Sequence, residues 1–257
     1  MTTATAQFTT VTPTTQHQRI GRVVRLHFAN PWNTIALPWI ILGAIFLANL
    51  AIWAVIFWSA TSSGDKRDIA DGMQYSGSTF YIFVYMLIVA VQAINITFPF
   101  ALGYGVTRRD YYLGTALNFV ILSAMYSIGL TILSIIEGAT GGWGIGGRMF
   151  SAVFFGDSWP QRLYIFFVGM LFFFFVGALF GAVFVRWRGN GLIALFVGLG
   201  AIGIGIVALL TLTRGWSLVG NFFVTAGLVG ALSWSLIITA IAGTVGFFVL
   251  RRATPRG

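Results

Sequence analysis

Apolar positions along this chain come in long unbroken blocks separated by short polar or charged stretches, with no alternation of polar and apolar residues inside a block. A hydrocarbon layer of about 30 Å takes roughly 20 apolar residues of helix to cross, and inside it the backbone is satisfied only in a helix or a closed barrel. A barrel strand alternates and these blocks do not, so the pattern predicts helices. Five blocks have the length of one crossing: about Ile35–Trp58, Ser78–Leu102, Tyr112–Ile136, Leu163–Val185 and Gly191–Leu212. The last block, Trp216–Leu250, is too long for one ordinary crossing. It predicts a spanning helix over about Ala226–Leu250, preceded by a short re-entrant element, Trp216–Thr225, that dips into one face of the membrane. The expected fold class is an all-α integral membrane protein with six transmembrane helices in residues 31–250.

Ahead of the first block, "RIGRVVRLHF" follows a different rule. At about 100° per residue Ile20, Val23, Val24, His27 and Phe28 share one arc, and Arg19, Arg22 and Arg25 take the opposite one. This predicts an amphipathic interfacial helix over residues 19–30, lying flat with its three arginines among lipid headgroups at the membrane surface. It should end where Pro31 disfavours helix at Asn30. Residues 1–18 are polar and Thr-rich, without the basic start and short apolar core of a signal peptide, and read as a disordered tail. Residues 251–257 form a basic tail.

Composition agrees: 58% of the residues are hydrophobic and 8% charged, more apolar surface than a soluble domain hides. The net charge of +9 is unevenly placed. With six crossings, Arg19, Arg22, Arg25, Arg108, Arg109, Arg186, Arg188, Arg251, Arg252 and Arg256 lie on the side of both termini. Every acid but Asp110 lies opposite. The positive-inside rule then makes both termini cytoplasmic, and the charge reports topology, with no nucleic acid implied. Trp39, Trp58, Trp159, Trp187 and Trp216 fall at block ends, as an interfacial aromatic belt requires.

Candidate chemistry is sparse. The two histidines, His17 and His27, precede the first block and cysteine is absent, so no Ser-His or Cys-His site can be assembled within the membrane. No HExxH is present, no metal ligand set is expected, and no carboxylate lies at mid-depth for an ion-coupled carrier. Glu137, at the end of the third block, reads as a solvated end residue. The following "GATGGWGIGGRMF" reads as a mobile Gly-rich loop. Gly177 with Gly181, and Gly191, Gly198 and Gly205, predict close-packing faces on the fourth and fifth helices.

"GVTRRDYYLG" remains, placed between the second and third blocks. Thr107 with Asp110 three residues on has capping-box spacing and predicts a helix start after Gly103 and Gly105. Arg108 and Arg109 then stand on a first turn, the poor end of a helix for cations, which points to an outside partner. The stretch resembles the loop of the six-helix, half-size permeases of ABC type-2 transporters, where Gly-x-Ser/Thr-Arg, an acidic or polar residue and an aromatic form a coupling helix that docks in a groove of the ATPase. The resemblance assigns ATPase coupling to Gly105, Thr107, Arg108, Arg109, Asp110 and Tyr111. No GxxxxGK[ST] is present, so this chain has no nucleotide cofactor of its own, and ATP and Mg belong to a separate ATPase subunit. The implied assembly is two ATPase copies, this chain and a second permease copy or homologue, working as an exporter of an amphipathic or hydrophobic compound in a bacterial plasma membrane.

On the second block Tyr81, Tyr85, Gln92, Asn95 and Pro99 fall within a narrow arc. Two readings stay open: a substrate path, as on the corresponding helix of the family, or hydrogen bonding between helices. A non-transporting scaffold or membrane anchor of a larger complex would share the composition, and only the loop motif speaks against it.

Overall fold

The computed structural model describes residues 15–253, and among these every regular element is a helix. The tail readings for residues 1–14 and 254–257 lie outside the described residues. Helix α1, Gln16–His27, opens inside the stretch read as tail. The Thr15 backbone N–H donates to Gln18 Oε1 at 3.1 Å, one half of a capping box. The amphipathic helix is therefore shifted a few residues towards the N-terminus from 19–30 and stops before Asn30.

A π-helical turn, Trp32–Ala36, leads into α2, Leu37–Ser59. The polar helix α3, Ser63–Met73, comes next. Apolar periodicity cannot announce such a helix, but its cap does. Asp65 N–H donates to Ser62 Oγ and Ser62 N–H to Asp65 Oδ2, both at 3.1 Å. The second apolar block is one rod made of α4, Phe80–Gln92, a π-helical turn at Ala93–Thr97, and α5, Phe98–Gly103. Then come α6, Arg108–Ala139, α7, Trp159–Leu212, α8, Trp216–Ser233, and α9, Ser235–Arg251.

Five helical stretches are long and apolar enough to cross a membrane: Trp32–Ser59, Phe80–Gly103, Arg108–Ala139, Trp159–Leu212 and Trp216–Arg251. Two of them exceed one crossing, and both are interrupted. The long α7 breaks at Arg188, whose φ of 56° and ψ of −149° leave the helical region, so a single residue replaces the loop expected between Val185 and Gly191. In α8 the break falls at Gly227, with φ 63° and ψ −178°. A turn at Trp234 then separates α8 from α9. The helix expected to run unbroken over Ala226–Leu250 is thus interrupted twice.

The first half of α7 is the packing centre, against α4, α6 and α9. Its Gly177 lets the Leu87 carbonyl and Ala90 approach, and Gly181 does the same for Ile94, so the close-packing face expected there is used. The fifth block differs, since nothing lies within 4 Å of where a side chain at Gly198 or Gly205 would begin. Trp39, read as an interfacial anchor, instead stacks on Tyr126 at 5.3 Å. Elsewhere the rods expose rows of Ile, Leu, Val and Phe, the inverse of a water-soluble surface. The protein is membrane-embedded.

Candidate functional site

The loop before α6 turns at Gly105, whose φ of +76° suits glycine. Thr107 Oγ1 then accepts the Asp110 backbone N–H at 3.1 Å, so the residue pair picked out by spacing is the cap of α6. The cap starts no separate coupling helix, because α6 runs from Arg108 to Ala139 as one element. The six loop residues divide by direction. Gly105, Thr107 and Arg109 are exposed. Arg108 donates to the Arg251 carbonyl at the end of α9, at 2.9 Å.

Asp110 and Tyr111 turn inward. The Asp110 carboxylate accepts from Arg19 Nε at 2.7 Å. The Tyr111 hydroxyl donates to the Ala93 carbonyl at 2.6 Å, and its ring lies 5.3 Å from that of Phe98. Expected to reach a partner protein, Arg108, Asp110 and Tyr111 are engaged within this chain.

The same contacts revise α1. Arg22 and Arg25 are exposed, as a headgroup-facing row requires, but Arg19 is clasped by Asp110. The apolar face of α1 is covered by α6. Val23, 1% exposed, sits where any side chain at Gly114 would stand, and His27 Nε2 lies 2.9 Å from Thr115 Oγ1. Burial pushes the His27 imidazole down from its ordinary 6.5 to about 4, so it is neutral at pH 7.

On the second rod the predicted polar arc is split. A π-helical turn inserts an extra residue per turn and rotates the residues beyond it, and this one begins just after Gln92. Tyr85 donates to the Asn33 carbonyl at 2.9 Å, and the Tyr81 ring lies 5.7 Å from the Tyr85 ring. Of the four candidate path residues, only Gln92 lines the cavity beside this rod; Tyr81, Tyr85 and Asn95 do not. That cavity measures about 380 Å³ and adds His27, Asn30, Asn33, Thr34, Thr97 and Asn118 as polar lining. Asn118 was not singled out from the sequence, yet it gives the signal Gln92 gives: an amide inside an apolar block.

At the other end of α6, Glu137 overturns its reading as a solvated residue. It is fully buried. One oxygen accepts the Ser151 N–H at 2.8 Å and the Ser151 hydroxyl at 2.6 Å; the other accepts Met149 N–H at 2.8 Å and Trp143 Nε1–H at 2.9 Å, with Phe150 N–H at 3.1 Å. The Gly-rich loop expected to be mobile is wrapped around this carboxylate. Its left-handed residues, Gly141, Gly142, Gly144 and Gly146 together with Trp143 at φ 60°, are what let it fold so tightly. The Thr79 hydroxyl ties it to the second rod through the Met149 carbonyl at 2.7 Å.

The arrangement offers a braced, cationic turn at one end of α6, a largely apolar cavity with a few amide and hydroxyl side chains beside it, and a folded cap at the opposite end. No protein-family model, curated protein or solved structure matches this chain.

Proposed function

We propose that this chain is the membrane permease subunit of an ATP-driven exporter of the half-size ABC type-2 kind. It moves an amphipathic or hydrophobic compound with energy from a separate ATPase, two copies of which serve a pair of permeases. In this reading the chain crosses a bacterial plasma membrane six times, through α2, the α4–α5 rod, α6, the two halves of α7 on either side of Arg188, and α9. The stretch of α8 before Gly227 is the re-entrant element, and both termini face the cytoplasm with the arginine-rich side.

The observation that carries the reading is Arg109. It is an exposed cation on the first turn of α6, where the helix dipole disfavours it. Its neighbours brace that turn, since Asp110 holds α1 through Arg19 and Arg108 holds the end of α9. A push delivered at Arg109 therefore reaches three helices, as a coupling element requires. The exposed second half of α7 and the exposed α8 fit a second permease copy.

Purification from the native host in mild detergent tests this. A separate ATPase should come with the chain, and Arg109→Glu should release or uncouple it while the chain still inserts. An ATPase-free preparation that hydrolyses ATP, or full transport by Arg109→Glu with the ATPase still attached, would end the proposal.

A further inference from the structure

Helix α7 turns back on itself at Arg188. The Phe180 and Phe196 rings lie 5.4 Å apart, although a straight helix would set these residues about 24 Å from one another. The first half of α7 also runs alongside α9 in the same direction, since Phe175 reaches Gly243 and Leu179 reaches Gly246. Three helical segments therefore line one apolar hollow of about 620 Å³, walled by Leu179 and Val183, by Ala194 and Leu195, and by Val245 and Val249.

A second hollow of about 260 Å³ lies beside the first, and the two share Val245 and Val249. Its remaining lining is Phe248 and two exposed arginines, Arg186 and Arg252. The Arg186 guanidinium stands 4.4 Å from the centre of the Trp187 ring. Arg186 and Arg188 are the only charged residues between Arg162 and Arg214, and Arg251 and Arg252 end α9. Charge at mid-depth is strongly unfavourable, so this end of the three segments lies at the membrane surface.

The arginines there outnumber what could neutralise them. A helix C-terminus carries about half a negative charge, so the ends of the first half of α7 and of α9 offset roughly one of the four. Among the described residues the single salt bridge joins Arg19 to Asp110, and after Asp157 the sequence has no acid. Arg186 and Arg252 thus face one hollow without a carboxylate partner. An acyl chain alone would leave them unanswered, a free anion would leave the larger hollow unfilled, and a zwitterionic lipid would bring its own cation to them.

We propose that the junction of the α7 hairpin with α9 binds one anionic glycerophospholipid, its phosphate between Arg186 and Arg252 and an acyl chain passing Val245 and Val249 into the larger hollow. The site goes beyond the permease reading and rests only on the chain being membrane-embedded. It uses the side of the second half of α7 that carries Ala194 and Leu195, which leaves the exposed Ile193 and Val197, on another side of that helix, for a second copy.

The test uses the delipidated full chain in dodecylmaltoside, with dioleoylphosphatidylglycerol as probe and dioleoylphosphatidylcholine as the control with the same acyl chains. Native mass spectrometry should show one phosphatidylglycerol per chain, held about tenfold more tightly than phosphatidylcholine or better, as the attraction of two surface arginines for anionic lipid requires. Arg186→Gln with Arg252→Gln should abolish that preference. Arg22→Gln with Arg25→Gln, on the exposed row of α1, should keep it. Val245→Trp fills both hollows and should weaken both lipids several-fold with the arginines intact.

Equal binding of the two lipids, parental preference in the Arg186 and Arg252 variant, or parental affinity in Val245→Trp refutes the site. An equal loss in the Arg22 and Arg25 variant refutes it too, because charge anywhere on the surface would then suffice. Displacement of the probe by inorganic phosphate would reduce the site to an anion contact, and uptake only after a dimer is dissociated would give the hollow to a second copy; either overturns the lipid. Arg186 and Arg252 are exposed and carry no salt bridge, so their double variant should melt close to the parent in lipid-free detergent. A variant that melts well below the parent or fails to fold shows that the arginines serve the fold, and ends the proposal as well.

Discussion

Helix α6 carries a buried carboxylate at each end, and the two are held in opposite ways. Asp110 stands in the first turn, where unpaired backbone N–H groups favour an anion, and is closed by a guanidinium from a different helix. Glu137 stands in the last turn, where exposed carbonyls disfavour an anion, and among the described residues no salt bridge reaches it. Three backbone N–H groups, an indole N–H and a hydroxyl surround it instead. The difference lies in what each carboxylate organises. At Asp110 the charge pair clasps two helices that local sequence already forms. At Glu137 the carboxylate supplies acceptors to a loop that has no ladder of its own to satisfy its amides, and so gives that loop its shape.

The largest effect is expected from removing the Glu137 carboxylate. Glu137→Ala leaves several buried donors unpaired at about 1–3 kcal/mol each, a loss above about 4 kcal/mol for the cap. Glu137→Gln keeps the shape but turns an NH2 towards N–H groups, and should be nearly as harmful. Trypsin cleavage after Arg148 is the readout, expected to accelerate at least tenfold with α1 still docked on α6. Cleavage at the parental rate would mean that the loop holds its shape without the carboxylate.

The opposite end should answer to pH. His27 is neutral when α1 is docked, with its value lowered from 6.5 to about 4, so between those values the undocked helix binds more protons. Its contribution to docking is complete above 6.5 and is lost as pH falls towards 4. Between pH 7 and 5 the loss is about 2 kcal/mol, visible as faster hydrogen exchange in α1. His27→Gln should flatten that dependence; an unchanged slope in the variant would place the titrating group elsewhere.

The smallest effect belongs to the clasp itself. The Arg19 side chain is 40% exposed, so screening limits the pair to about 1 kcal/mol or less. Asp110→Asn and Arg19→Gln should each loosen α1 by that much, and the double variant by no more than either alone. Additive losses would show that the two side chains do not act through one another. Arg22→Gln, at an exposed position on the same helix, should leave exchange in α1 unchanged.

Legibility in the sequence tracked sequence distance. Thr107 and Asp110 are three residues apart, and their spacing predicts the bond that forms. The direction of the Asp110 side chain was not legible, because its partner Arg19 lies ninety-one positions away and had a complete reading of its own among the headgroups. Tyr81, Tyr85, Gln92 and Asn95 share an arc on an ideal helix, but the rod changes pitch after Gln92. No local propensity announces that change.

The sequence by itself determined that the apolar blocks are helices of membrane length, the amphipathic character of α1 and the cap of α6. Each rests on residues within a turn or two of one another, or on plain apolar length, and these terms act before any tertiary contact exists. Only the tertiary structure decided which face of α1 meets α6 and how the Gly-rich loop closes on Glu137. Those outcomes depend on burial. A polar group's partner, or its lack of one, is set by which distant segments exclude water around it, and that is known only once the helices have packed.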